Sequence, residues 1–88
     1  MTIGIIFNGA GTTEAQYAQV LNQVSPGNQK PSGMISHSAG PREGGWCVIE
    51  VWESQEAAQQ FFDQKLGAAL QEAKITVQPT FFQVTNTM

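Results

Sequence analysis

The chain is short of charge. Only 12% of its 88 residues are Asp, Glu, Lys or Arg, against about 25% in an average soluble domain. Just four are basic, Lys30, Arg42, Lys65 and Lys74, and they are scattered. With a net charge of −3 there is no basic face to neutralise phosphates, which argues against nucleic acid as a partner. Cysteine occurs once, at Cys47, so an internal disulfide is impossible and a reducing compartment is the default. Histidine also occurs once, at His37. One His and one Cys make no ordinary zinc site, and no metal is expected. No run reaches the ~18 apolar residues of a membrane span. Residues 1–20 hold neither a basic n-region nor a long apolar h-region. The expectation is a cytoplasmic protein with no membrane partner.

What is present suits one small globular domain, residues 1–88, with 41% hydrophobic residues. A domain of this size buries only about 60–65% of its unfolded surface, so its core is marginal and association would help it. Met1 to Phe7 reads as a buried strand. Thr13-Glu-Ala-Gln16 has the form of a capping box. Tyr17, Val20 or Leu21, and Val24 then recur at helical spacing until Ser25-Pro26-Gly27 stops the helix. Met34 to Ala39 alternates as a second strand, Gly40 to Gly45 forms a hairpin-like turn, and Trp46 to Trp52 is a third strand. Ser54 is an N-cap, with Glu56 in the first turn where the helix dipole favours it. Ala57, Ala58, Phe61 and Phe62 form the apolar stripe of that second helix. Gly67 is expected to break or bend it, with a short turn running on to Ala73, and Thr80 to Thr87 reads as the last strand after Pro79. The order, βαββαβ, predicts an α+β, ferredoxin-like fold with a four-stranded antiparallel sheet. Strands one and three then lie in the centre and strands two and four at the edges.

The third strand poses the main question. Alternation places Trp46, Val48, Glu50 and Trp52 on one face and Cys47, Ile49 and Val51 on the other. The small and aliphatic set suits the face beneath two helices. The tryptophans would then lie on the uncovered face. A bare apolar patch of that kind marks an interface. The expected partner is a second copy of the chain, packed sheet face against sheet face, with Glu50 left room to meet water, a ligand or a basic group.

The first strand, GMISHSAGPREGGW at 33–46, and VIEVWES at 48–54 running into an Ala/Phe helix resemble the dimeric α/β-barrel proteins. Within them the resemblance is to the antibiotic-biosynthesis-monooxygenase-like group, and it covers almost the whole chain. It implies a homodimer forming a dimeric α/β barrel, with a pocket in each protomer between sheet and helices. In that group some members oxidise phenolic or polycyclic molecules with molecular oxygen and no cofactor, some degrade haem, and many have no known activity. Several relatives carry a histidine in the helix after the W-E-S stretch. Here the comparable residues are Gln60-Phe61-Phe62-Asp63, so a mechanism using that histidine does not carry over.

Two residues are candidates for proton transfer. His37 shares a face with Ile35 and Ala39, and pairing Ala39 with Trp46 would bring it near Glu50 across the hairpin. A His–carboxylate pair in an apolar pocket can move a proton near neutral pH, but a one-residue slip would separate the two. Glu50 in an apolar strand needs a partner or water, and Arg42, a lysine or the partner chain would serve structurally. Trp52, Trp46 and Tyr17 are candidates for binding an apolar or aromatic small molecule, and each equally suits core or interface packing. Cys47 reads as a buried, inert thiol. The residues leave three functions open. One is a cofactor-independent monooxygenase using His37 and Glu50. Another is a non-catalytic ligand-binding or stress-related protein. The third is haem binding or degradation with His37 as axial ligand.

Overall fold

A computed structural model describes residues 1–88. The elements are β1 (Ile3–Ala10), α1 (Glu14–Val24), β2 (Met34–Arg42), β3 (Gly45–Trp52), α2 (Gln55–Phe61), α3 (Gly67–Glu72) and β4 (Gln78–Gln83). A short 3₁₀ turn, Pro26–Asn28, follows α1, and a π-helical turn, Phe62–Leu66, joins α2 to α3. All strand pairs are antiparallel and the sheet order is β2-β3-β1-β4. This is the ferredoxin-like α+β fold, with the first and third strands central as their apolar character predicts. No helix is long and apolar enough to cross a membrane.

Local signals set the helix starts. Thr13 accepts a hydrogen bond from the Gln16 amide and donates its own amide to the Gln16 side chain, which completes the capping box. Ser54 Oγ accepts from the Ala57 amide. Gly67 does not break the second helical segment. Its φ of −58° is helical, and the irregularity lies just before it, in the wider turn that holds one extra residue. β1 runs past Phe7 to Ala10 because its Gly-rich end approaches β3 very closely, and β2 runs past Ala39 to Arg42, which pairs with Gly45. A Cβ at Gly45 would fall 2.3 Å from the Gly9 carbonyl oxygen. β4 starts and ends earlier than its sequence suggests, at Gln78 and Gln83.

The face assignment from sequence is inverted. Trp46, Val48, Glu50 and Trp52 do share a face, but it is the one the helices cover. Trp52 is 1% exposed and packs on Phe61 of α2, with ring centroids 5.5 Å apart. Across β1 the same face carries Ile3, Ile5 and Phe7, each paired with a member of the tryptophan set. Cys47, Ile49 and Val51 lie on the open face with Gly4, Ile6 and Phe82, and Ile49 is 46% exposed. The tryptophans therefore do not form a bare patch. The large rings lie between sheet and helices, and the outer face carries Ile6, Ile49, Val51 and Phe82.

The core is in two parts. Ile3, Ile5, Phe7, Met34, Trp52 and Ala58 pack beneath α2. Val20, Val24, Ala69 and Ala73 join α1 to α3. Phe61 and Leu66 touch both parts. Gly33, where the chain enters β2, has φ +88° and sits where a Cβ would fall 2.8 Å from the Ala57 Cβ. Replacing Gly33 by Ala is expected to cost about 2 kcal/mol or more, from left-handed strain and overpacking against α2. The midpoint of urea unfolding checks this. An unchanged midpoint would mean that the β2 entry and α2 are not held together here.

Candidate functional site

Antiparallel pairing sets His37 directly opposite Glu50. The register differs by two residues from the Ala39–Trp46 pairing that the hairpin suggests: Ala39 faces Val48, and Pro41 faces Trp46. A shift of two keeps every side chain on its face. A β-bulge between Met34 and Ser36 leaves Ile35 without a partner, so Met34 joins His37 on the covered side.

The result is a hydrogen-bonded chain through the middle of the domain. The Trp52 indole Nε1–H donates to Glu50 Oε1 at 2.9 Å. Glu50 Oε2 is 2.9 Å from His37 Nδ1. His37 Nε2 is 2.7 Å from the Tyr17 hydroxyl. Glu50 is 5% exposed, and an ionised carboxylate at such a site accepts from both neighbours. Nδ1 of His37 therefore carries a proton. In the neutral ring Nε2 is then the acceptor, and Tyr17 donates to it. Tyr17 comes from α1, one and two turns before Val20 and Val24 on the same buried stripe, so the helix delivers a phenol to the sheet. Its ring also lies against Trp46, with centroids 5.3 Å apart.

This chain borders an open cleft of about 190 Å³ between the sheet and α1. Its walls are mostly apolar, among them Phe7, Met34, Val48, Phe61 and Leu66, and its polar groups include Tyr17, His37 and Glu50. The arrangement offers one base, Nε2 of His37, held and oriented by a carboxylate and reached through a phenol.

The other candidates fall as follows. Trp46 is half-buried and lines the cleft, and its Nε1–H is buried without a partner. Trp52 is core and does not line this cleft; it supports Glu50 from behind. Arg42 is not Glu50's partner. It lies on the open face and bonds Asn8 Oδ1. Cys47 is half-exposed on that open face, not under the helices. Sequence reasoning missed the Trp52–Glu50 and Tyr17–His37 bonds. The first was signalled by the two-residue spacing on one strand, the second by the position of Tyr17 on the apolar stripe of α1.

No protein-family model matches the sequence, and no curated protein matches it significantly. Solved structures do match. A single-residue variant of SnoaB, a cofactor-independent oxygenase from Streptomyces nogalater, superposes with a TM-score of 0.72 at 12% identity, over 99% of this chain and 96% of that one. A candidate antibiotic biosynthesis monooxygenase from Chloroflexus aurantiacus gives 0.73 at 14%, over 100% and 97%. A dimeric ferredoxin-like protein of unknown function from Thermobifida fusca gives 0.70 at 18%, over 96% and 92%. At these identities the likeness is one of fold. The fold is that of the antibiotic-biosynthesis-monooxygenase-like proteins, as the resemblance in the sequence implied.

Tyr17 is the only tyrosine, so its ionisation is directly observable. Burial first, and the Glu50 carboxylate second, push its pKa above the ordinary 10.0. Phenolate absorbance of the folded protein is expected to rise with a midpoint above 10.0, and Glu50→Gln should lower that midpoint. The unfolded phenol titrates lower, so the native state holds this proton more tightly. Tyr17's contribution to stability is thus complete below that value and lost as the pH climbs through the folded pKa. A midpoint indifferent to Glu50→Gln would mean that the carboxylate does not act on the phenol.

Proposed function

We propose that this chain is a homodimeric pocket protein that oxidises an aromatic or polyketide-like molecule with molecular oxygen and without a cofactor. The observation that carries this reading is the Tyr17–His37–Glu50 chain, with 2.7 Å and 2.9 Å links, beside a largely apolar cleft. The description of SnoaB as a cofactor-independent oxygenase of the same fold supports it.

The chemistry asks little of the protein. An electron-rich phenol or its keto form binds in the cleft with an acidic C–H or O–H at Tyr17. That proton passes to the Tyr17 oxygen as Tyr17 hands its own to His37 Nε2, and Glu50 stabilises the imidazolium so formed. The substrate anion gives electrons to dioxygen and forms a C–O bond. The peroxide takes back the proton, and loss of water leaves a carbonyl. One CH₂ and one O₂ become one C=O and one H₂O. Haem ligation fits less well, because both nitrogens of His37 are engaged, by Tyr17 and by Glu50.

The expected test is turnover of a panel of electron-rich polycyclic phenols under oxygen, followed by product absorbance. For any substrate found, His37→Ala should lower kcat by about 10²–10⁴-fold, the usual worth of a positioned base, and Glu50→Gln should lower it as well. Unchanged turnover in both variants would remove the proton-transfer assignment. Binding without turnover across the panel would favour the non-catalytic reading.

The homodimer rests on the open face rather than on the tryptophans. Ile6, Ile49, Val51 and Phe82 form an apolar surface there, with Ile49 46% and Phe82 44% exposed. The Thermobifida fusca protein of this fold is dimeric. Ile49→Glu puts a charge in the middle of that surface, and sedimentation velocity should show a monomer where the native chain sediments as a dimer. A native chain that is monomeric at micromolar concentration would overturn the assembly.

A further inference from the structure

A second cavity of about 200 Å³, open to solvent like the main cleft, lies on the other side of Phe61, between α2, the π turn and the β1–β4 half of the sheet. Ile5, Trp52, Ala58, Phe61, Leu66 and Phe81 line it. Its polar groups are Gln59 and Glu50, and both Glu50 oxygens are already bonded, to Trp52 and His37. It therefore offers little to hold a polar or charged ligand. Water in so apolar a recess finds few hydrogen-bond partners, so a small apolar solute can displace it. The cavity also shares Phe7, Glu50, Phe61 and Leu66 with the main cleft, so the two spaces are one side chain apart.

We propose that this second cavity binds small uncharged apolar molecules and is the entry site for dioxygen, with Phe61 and Leu66 as the partition from the organic ligand. The entry role rests on the oxygenase reading above; the binding site does not. The reason is the stoichiometry. The reaction needs two molecules at one centre. An organic substrate that fills the main cleft closes that route, so a diatomic apolar reactant needs a separate approach. Phe61 ends α2 and Leu66 ends the π turn, and such turns recur where helices border functional sites. Both side chains reach the shared wall from a segment whose backbone is already irregular.

Xenon is the probe for the site, because it needs no turnover. Methyl NMR under xenon pressure should show saturable shifts at Ile5 and Leu66, with only small linear changes at the exposed Ile35 and Ile49. Ala58→Leu, which fills the cavity, should abolish the saturable shifts. Gln59→Trp closes the rim from an exposed position and serves if Ala58→Leu fails to fold. Absence of saturable shifts in the native protein would overturn the site. With an active substrate in hand, either variant should raise KM for oxygen several-fold and leave KM for the organic molecule unchanged. An unchanged oxygen KM would overturn the entry role. Xenon binding in a protein that oxidises nothing would sink the oxygenase reading, and with it the entry role, and leave the apolar site standing.

Discussion

The structure depends on one buried carboxylate. Glu50 sits on a central strand, almost wholly out of water. An ionised carboxylate there is strongly unfavourable unless each oxygen finds a donor. The sheet supplies both donors by its own periodicity. Trp52 is two residues along the same strand, on the same face, and His37 is the cross-strand neighbour. A slip of one residue in the β2–β3 pairing would remove the imidazole and leave the charge bare. The same ion that orients His37 thus selects the register of the hairpin. It also selects the tautomer of His37, because an acceptor at Nδ1 leaves the lone pair at Nε2. Tyr17 meets that lone pair only because α1 packs with its stripe inward.

The division of the core follows from the same requirement. A chain of 88 residues has little apolar surface to spare, yet this one keeps two cavities beside its central strand. Trp52 anchors one cluster beneath α2, and Val20, Val24, Ala69 and Ala73 anchor the other between α1 and α3. Phe61 and Leu66 are the bridge. Where they do not fill the gap, the sheet and helices stand apart, and the polar chain lies along the opening. Cavities lower stability, since their linings lose contact partners. A second copy on the open face would return buried area to the domain without filling the cleft.

Much of this was legible in the residues, and the failures have physical causes. Thr13 with Gln16, and Ser54, mark helix starts through hydrogen bonds that involve only neighbours in sequence. Alternation correctly groups His37 with Glu50, and Trp46 with Trp52, because the pleat has a period of two whatever surrounds it. It does not say which face the helices cover. That was readable only from β1, where Ile3, Ile5 and Phe7 outweigh Gly4, Ile6 and Asn8, and only once β1 and β3 are paired. The preference for small residues under helices gave the wrong answer because Glu50 needs the indole and the imidazole inside with it. The bulge at Ile35 and the π turn at Phe62–Leu66 each insert one residue into a regular repeat. Ile35 has no such marker beside it; Gly67, directly after the π turn, marks an irregularity in the helix but not its kind or its position.

The charge balance of the cluster explains why so sparse a site would suffice for oxygen chemistry. With Glu50 ionised and the imidazole neutral, it holds a single negative charge beside a phenol whose proton burial keeps in place. Taking a proton from a substrate converts the His37–Glu50 pair to an ion pair of no net charge. The negative charge moves to the organic molecule in an apolar cleft, where little hydration stabilises it. An anion in that position is a better electron donor than the same anion in water. Its reaction partner, dioxygen, is uncharged and needs neither a counter-ion nor a hydrogen-bond donor to approach. What the protein must supply is a base that is poised before the substrate arrives, a dry wall around the anion, and a path for a small apolar molecule. In the proposed reaction, His37 held between Glu50 and Tyr17 would answer the first requirement, Phe7, Val48 and Met34 the second, and the space behind Phe61 the third.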